Sequence, residues 1–216
     1  MYSITIKQEK GRKITMAYSN FTLKNVQKEF QLEIKEEMGI FSHIEPLQIS
    51  ESLSTILADN VPLAVSINTE KARSELIVVN ILLEMRKIFQ RQVSFFSGVD
   101  FTVDKDRGLN GFCDFLISQS PEQLFVNAPV ITIVEAKNDN MMSELGQCVS
   151  EMVAAQIFNQ REELPISSIY GAVTIGTGWI FLKLVDALVS IDLKEYSIEQ
   201  VGKIVGILSA MLKQEA

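Results

Sequence analysis

Histidine and cysteine are scarce in this sequence, and that scarcity excludes several kinds of site. His43 is the single histidine, so a metal centre built from several histidines is excluded, and any Ser-His-Asp triad would have to use it. We assign it no catalytic role. The two cysteines, Cys113 and Cys148, lack the spacing of a metal site, and their apolar neighbours predict buried free thiols.

An excess of positive charge and long apolar runs are lacking as well. The chain has 20 Lys and Arg against 27 Asp and Glu, a net charge of −7, whereas nucleic-acid-binding proteins usually carry a basic surface. This net charge argues against tight non-specific DNA binding but does not exclude a local basic groove. No uncharged apolar run of about 18 residues occurs, and the N-terminus lacks a secretory pattern. We therefore expect a cytoplasmic protein with no membrane segment.

The chain does contain enough apolar sequence for a large core. Its 216 residues are 47% hydrophobic and only 22% charged, which fits one large domain or a domain with a small appendage. We divide it into an N-terminal extension, 1–66, packed on the core, and the core itself, 67–216. In the extension we predict a strand at 3–7, a helix followed by a strand in 21–38, and a helix that begins at Ser50 and ends at Asn60 and Pro62.

The core alternates strands with helices in an order that predicts a mixed sheet. Helical periodicity occupies 68–89, 141–164 and 197–214, and strands are predicted at 93–103, 109–118, 130–134 and, in two or three pieces, 169–193. Consecutive hairpin-like strands followed by a crossover helix indicate a mixed sheet in a layered α/β fold. The apolar stripe of the last helix fits either packing on the sheet or a homodimer face.

Five polar residues stand where the apolar pattern does not require them. Glu75 lies in the first turns of the 68–89 helix, Asp114 interrupts the apolar strand "FCDFLI", and Gln147 lies on the 141–164 helix. Glu135 and Lys137 end the 130–134 strand, and because strand side chains alternate, both should project from the same face. A solvated strand end with a local ion pair, worth about 0–1 kcal/mol, is the simpler explanation of these two residues alone.

The order Glu … Asp … Glu-x-Lys resembles that of the PD-(D/E)XK nuclease superfamily. The resemblance covers residues 68–185. In detail, the chain is similar to bacterial, largely cyanobacterial, members of the superfamily that carry a glutamate on a helix, a G-x-x-D strand, an E-A-K triplet and a later glutamine. The matching residues are Glu75, Gly111 to Asp114, Glu135 to Lys137, and Gln147. The resemblance implies a restriction-endonuclease-like three-layer α/β fold with a central mixed β-sheet flanked by helices.

The same resemblance implies a hydrolase that cleaves phosphodiester bonds of nucleic acid, with DNA as the favoured substrate and Mg²⁺ or Mn²⁺ as the cofactor. Its metal would be held by oxygen donors of Asp114, Glu135, the carbonyl of Ala136 and, as an outer or second-metal ligand, Glu75. Lys137 would hold the attacking water or stabilise charge on the phosphoryl oxygens, and Gln147 would orient Lys137 or contact the backbone.

Two features depart from this pattern and leave alternatives open. "GFCD" precedes Asp114 where a proline-containing turn is usual, and the acidic charge leaves only local candidates for a DNA-binding surface: Lys71, Arg73, Lys105, Arg107 and Arg161. One alternative is an inactive nuclease-like domain that binds nucleic acid or a protein partner. The other is an unrelated α/β assembly protein, which a structure with the Asp114 and Glu135 carboxylates on opposite faces or far apart would support.

Overall fold

A mixed β-sheet with helices on both faces organises the computed structural model, which describes residues 17–137, 140–164 and 166–216. The expected strand at 3–7 lies outside the described residues. The helices are α1 Leu23–Phe30, α2 Glu51–Ile67, α3 Glu70–Arg73, α4 Val79–Ile88, α5 Leu145–Arg161 and α6 Val201–Leu212. The strands are β1 Glu33–Glu37, β2 Ser94–Asp100, β3 Phe112–Ser118, β4 Val130–Ala136, β5 Ile169–Thr174, β6 Gly178–Val185, β7 Leu188–Asp192 and β8 Tyr196–Ser197.

The strand order is β1-β7-β6-β5-β4-β3-β2, with β8 paired to β6. β2, β3 and β4 form an antiparallel meander, and α5 then crosses over so that β5 runs parallel to β4. β6 reverses the direction, whereas β7 and β1 again run with β4 and β5. The C-terminal ends of β4, β5, β7 and β1 therefore share one side of the sheet, which we call the carboxyl edge.

Each face of the sheet has its own apolar core. α2, α4 and α6 cover one face, and α1 and α5 cover the other. Of the two roles considered for the C-terminal helix, packing on the sheet is confirmed, since every residue from Ile204 to Leu212 is buried within the chain. No helix in the described ranges is long and apolar enough to cross a membrane.

The described part of residues 1–66 joins the same sheet and the same cores. β1 extends the sheet by pairing with β7, and α1 packs on α5. This helix contact is close, because a Cβ on Gly146 would lie 2.4 Å from the carbonyl oxygen of Phe21. Upstream of α1, the Tyr18 hydroxyl donates to the carbonyl of Phe101 at 2.5 Å. The division at residue 66 stays a prediction.

The predicted end of α2 is wrong. The helix begins as expected at Ser50, whose hydroxyl accepts from Leu53 N at 3.2 Å, but it continues through Pro62 to a left-handed cap at Asn68. A proline inside a helix removes one N–H and crowds the carbonyl four residues earlier. The buried side chains of Leu57 and Ala64, on either side of the proline, hold the helix on the core despite that cost.

Most other predicted elements are confirmed, with two helices changed in detail. The meander, the three strands in 169–193 and the helix-then-strand in 21–38 are present. The predicted 68–89 helix is α3 and α4 joined by a π-helical turn, Ser74–Val78, and it begins at the Thr69 cap, whose hydroxyl accepts from Ala72 N. The helix predicted from residue 141 begins at Leu145, after a 3-10 turn.

Replacing Pro62 by alanine should stabilise the protein. Alanine restores an N–H in the middle of α2 and removes the ring that crowds the preceding turn, while the loss of proline's restriction on the unfolded chain offsets part of the gain. We expect the free energy of unfolding in urea to rise by about 1–2 kcal/mol. Ser66→Ala, in the same exposed helix face, serves as the control and should change it little. Equal or lower stability of Pro62→Ala would contradict the strain assigned to this turn.

Candidate active site

Asp114 lies where the pairing of three strands loosens. The β3–β4 ladder ends at Phe115 and Val134, and beyond it the Asp114 carboxylate accepts from Ala136 N at 3.0 Å. On the other side of β3, Gly98 of β2 lies opposite Asp114 but is left out of the strand pairing. Gly98 has a φ of +60°, which glycine adopts readily. A side-chain carboxylate therefore takes the place of a backbone acceptor at this point and is held at the carboxyl edge of β4.

Glu135 and Lys137 face the same side, as strand alternation predicts. Glu135 is fully buried, and its Oε2 lies 3.5 Å from Lys137 Nζ. Lys137 keeps 19% of its side chain exposed, lies 3.7 Å from Glu144 Oε2, and is fixed through its backbone N–H to the carbonyl of Thr174. Lys137 thus connects the buried carboxyl to the protein surface.

Gln147 binds the buried carboxyl rather than the lysine. Its Nε2 donates to Glu135 Oε2 at 2.8 Å and to Glu151 Oε1 at 3.1 Å. Glu151 is fully buried one helical turn later and was missed as a site residue. The signal that could have found it is the four-residue spacing, which places Gln147 and Glu151 on the same face of an otherwise apolar stretch of α5.

Burial and mutual repulsion keep the two carboxyls from both ionising. Burial, followed by the charge and hydrogen bond of Glu151, raises the pKa of Glu135 well above its usual range, and burial raises the pKa of Glu151 to about 7. Gln147 occupies one oxygen of each carboxyl, and the other two oxygens, Glu135 Oε1 and Glu151 Oε2, receive no N–H or hydroxyl donor from the described residues. One shared proton would satisfy both oxygens.

Lys137 is held in its charged form. Burial disfavours the ammonium, but the nearby carboxylates of Glu135, Asp114, Glu144 and Glu70 outweigh that effect and raise the pKa of Lys137. A charged ammonium that is partly exposed can donate hydrogen bonds and stabilise negative charge as it develops on a group placed beside it.

Glu75 is placed away from this group. Its side chain is 60% exposed, its carboxylate pairs with Lys71 at 3.2 Å, and its described contacts include none of the other predicted site residues. Glu70, five residues earlier, is the helical carboxylate whose charge acts on Lys137. Glu70 lies in α3, whereas Glu75 lies in the π-helical turn that follows it. The metal role of Glu75 stays a prediction.

The remaining candidates are mostly occupied. Both thiols are free and buried, as expected. The basic side chains with described partners are bound as follows: Lys71 to Glu75, Arg73 to the Ile175 carbonyl and Asn68, Arg107 to Glu29, and Arg161 to Asp104. The Asp114 carboxylate accepts from the backbone N–H of Ala136, the residue next to Glu135, so the wide separation expected of an assembly protein is not found.

The oxygen donors at this site fit a magnesium ion that is bound by few protein ligands and keeps most of its waters. Among the described residues, no group of three or more carboxylate, imidazole or thiol side chains could hold a metal. Mg²⁺, however, is usually bound through one or two carboxylates and keeps several waters. Asp114 and Glu135 provide two, at the ends of neighbouring strands. The chemistry of the donors therefore suits a hard divalent cation.

Comparison of the chain with protein-family models and with curated proteins gives no match. The class of fold is nevertheless clear, because the mixed sheet lies between two helical layers and defines a layered α/β protein. The site in it is a cluster of carboxyls and one ammonium at the carboxyl edge. The narrower, restriction-endonuclease-like assignment depends on the resemblance of the motifs.

Stability should fall as pH rises across the range in which the buried pair loses its proton. The unfolded carboxyl titrates near pH 4.5 and Glu151 in the folded chain at about 7, so the folded state binds more protons between these values. The free energy of unfolding should therefore decrease from pH 5 to about pH 7. Glu151→Gln should reduce this decrease, measured by urea unfolding at a series of pH values.

Glu36→Gln is the matched control for that experiment. Glu36 is an exposed carboxyl on the edge strand β1, so its replacement should leave the pH dependence of unfolding unchanged. If Glu151→Gln followed the same pH profile as the unaltered protein, the raised pKa of the buried pair would be wrong.

Proposed function

We propose that this protein is a Mg²⁺-dependent phosphodiesterase of the PD-(D/E)XK type that cleaves nucleic acid, with DNA as the favoured substrate. The observation that carries the proposal is the convergence of Asp114, Glu135 and Lys137 at the ends of β3 and β4. The element order supports it: a helix, an antiparallel meander, a crossover helix and a strand parallel to the last meander strand make up the core of that fold.

The carboxylates of Asp114 and Glu135 and the carbonyl of Ala136 would hold the metal, which when bound polarises the scissile phosphate and lowers the pKa of a water. Asp114 is oriented for this by the Ala136 N–H. Gln147 orients Glu135 by donating to Oε2. Both carboxylates are therefore positioned by a hydrogen bond from the chain itself.

Lys137 has the role of donor to the reacting groups. Its ammonium is charged and lies at the boundary between the buried carboxyls and solvent. From there it can donate to the attacking water or to a phosphoryl oxygen that gains negative charge in the transition state. The site has contact with solvent, because the side chains of Asp114 and Lys137 are both partly exposed.

An inactive nuclease-like domain that binds nucleic acid or a protein is the second candidate. The observation that favours it is the neutralisation of the basic surface by neighbouring carboxylates, at Lys71, Arg107 and Arg161. Such pairs reduce the positive charge available to phosphates. Metal binding separates the two candidates, since a binding domain has no need of a cation at Asp114 and Glu135.

Mg²⁺ binding, measured by calorimetry at low salt, should disappear in an Asp114→Asn/Glu135→Gln variant. These replacements keep the shape of both side chains but remove the charges that attract the cation. Lys137→Met should retain metal binding and lose at least about a hundredfold of its cleavage rate on single- and double-stranded DNA, because it removes only the transition-state donor.

Lys35→Met is the control for Lys137→Met, since Lys35 also lies on a strand beside a glutamate but at the far edge of the sheet. It should bind metal and cleave like the unaltered protein. A folded wild-type protein that binds neither Mg²⁺ nor Mn²⁺, with or without DNA, would contradict the proposed activity and favour the binding domain.

A further inference from the structure

Two lysines converge on a cavity at the opposite end of the carboxyl edge from the candidate active site. Lys194 follows β7, and Lys203 lies in the first turn of α6. They line a cavity of about 370 Å³ together with Pro46, Gln200 and Gly202. No residue of this cavity belongs to the carboxyl cluster at β4. The lining combines two lysines with the start of α6, and it is a local concentration of positive charge in a protein whose net charge is −7.

Both ammonium groups are held by neutral oxygens of one loop. Lys194 Nζ donates to the Ser42 hydroxyl at 3.1 Å, and Lys203 Nζ donates to the carbonyls of Ser42, at 3.0 Å, and Ile44. An ammonium has three N–H donors, so two remain on Lys194 and one on Lys203. Among the described residues, neither Nζ lies within ion-pair distance of a carboxylate.

The two cations repel each other in the absence of a counter-ion. Burial and the charge of Lys194 lower the pKa of Lys203, and Glu45 offsets this only in part. An anion between the two ammonium groups would remove the repulsion and use the three remaining donors. The start of α6 faces the same cavity through Gly202, and Gln200 at its N-cap makes no side-chain capping bond, so the helix dipole also favours negative charge there.

The cavity and the candidate active site share one side of the sheet. Strand pairing aligns Ala136 with Thr174, Thr174 with Trp179, and Trp179 with Tyr196 across the carboxyl edge. Three strand spacings separate Ala136 from Tyr196, a distance of about 14 Å. Lys194 lies two residues before Tyr196, and its Nζ packs over the Tyr196 ring. A short stretch of a nucleic-acid strand could reach from one site to the other.

We propose that the cavity between Lys194 and Lys203 binds a phosphate group. A phosphate group offers several acceptor oxygens to the donors of both lysines, and its negative charge, one unit in a diester and up to two in a monoester, offsets the repulsion between the ammonium groups. The phosphate comes either from a nucleic-acid backbone, in which case the inference rests on the proposed function, or from a small phosphate monoester. Phosphate binding itself does not depend on the activity at Asp114 and Glu135.

Inorganic phosphate titrated into the full chain at low ionic strength tests the proposal. A chelator is included so that the candidate metal site holds no cation, and the backbone amide signals of Gly202 and Lys203 are followed by NMR. We expect saturable shifts in the wild-type protein and an increase in Kd of about tenfold in Lys194→Gln, which removes two free donors and one charge. Lys213→Gln removes the same charge from the other end of α6 and should leave the Kd unchanged.

The same variants distinguish the sources of phosphate. If a short oligothymidylate also binds more weakly to Lys194→Gln than to Lys213→Gln, the phosphate is that of a nucleic-acid backbone. If only inorganic phosphate and glycerol phosphate are weakened, the ligand is a small monoester. Absence of saturable shifts in the wild-type protein, or an equal Kd in both variants, would overturn the phosphate site while leaving the metal experiment to decide the activity at β4.

Discussion

The two hydrogen bonds from the Gln147 amide are the contact on which the centre of this structure depends. Glu135 and Glu151 are both buried, and a buried carboxyl without a partner costs several kcal/mol. A single amide nitrogen satisfies one oxygen of each, which holds α5 on β4 and brings the two carboxyls close enough to share a proton. The charged state of Lys137 follows, because it lies beside the same group of carboxyls.

The distribution of charge, rather than its total, decides what this acidic protein can bind. Most described basic groups are neutralised by a neighbouring carboxylate or bound to carbonyl oxygens. Along the carboxyl edge, Lys137 pairs with a candidate metal ligand at β4, whereas Lys194 and Lys203 are bound to neutral oxygens and form no ion pair with a described carboxylate. The topology produces this, because β4, β5, β7 and β1 all end on the same side.

Sequence patterns predicted most elements, and the exceptions have local physical causes. The run of β-branched residues in β4 and the Gly176–Gly178 break were strong signals, and both were correct. Pro62 misled because tertiary packing on Leu57 and Ala64 outweighs the propensity of one residue. The sequence singled out Glu75, whereas the charge of Glu70, earlier in the same helical stretch, acts on Lys137.

The sequence by itself determined the features that depend on near neighbours along the chain. Strand alternation put Glu135 and Lys137 on one side of β4, and the order of elements indicated a layered α/β fold. Only the tertiary structure decided which distant groups meet: Asp114 with the backbone of Ala136, and Lys194 with Lys203 around Ser42. These contacts join strands, helices and loops through sheet register and helix packing, which no local pattern specifies.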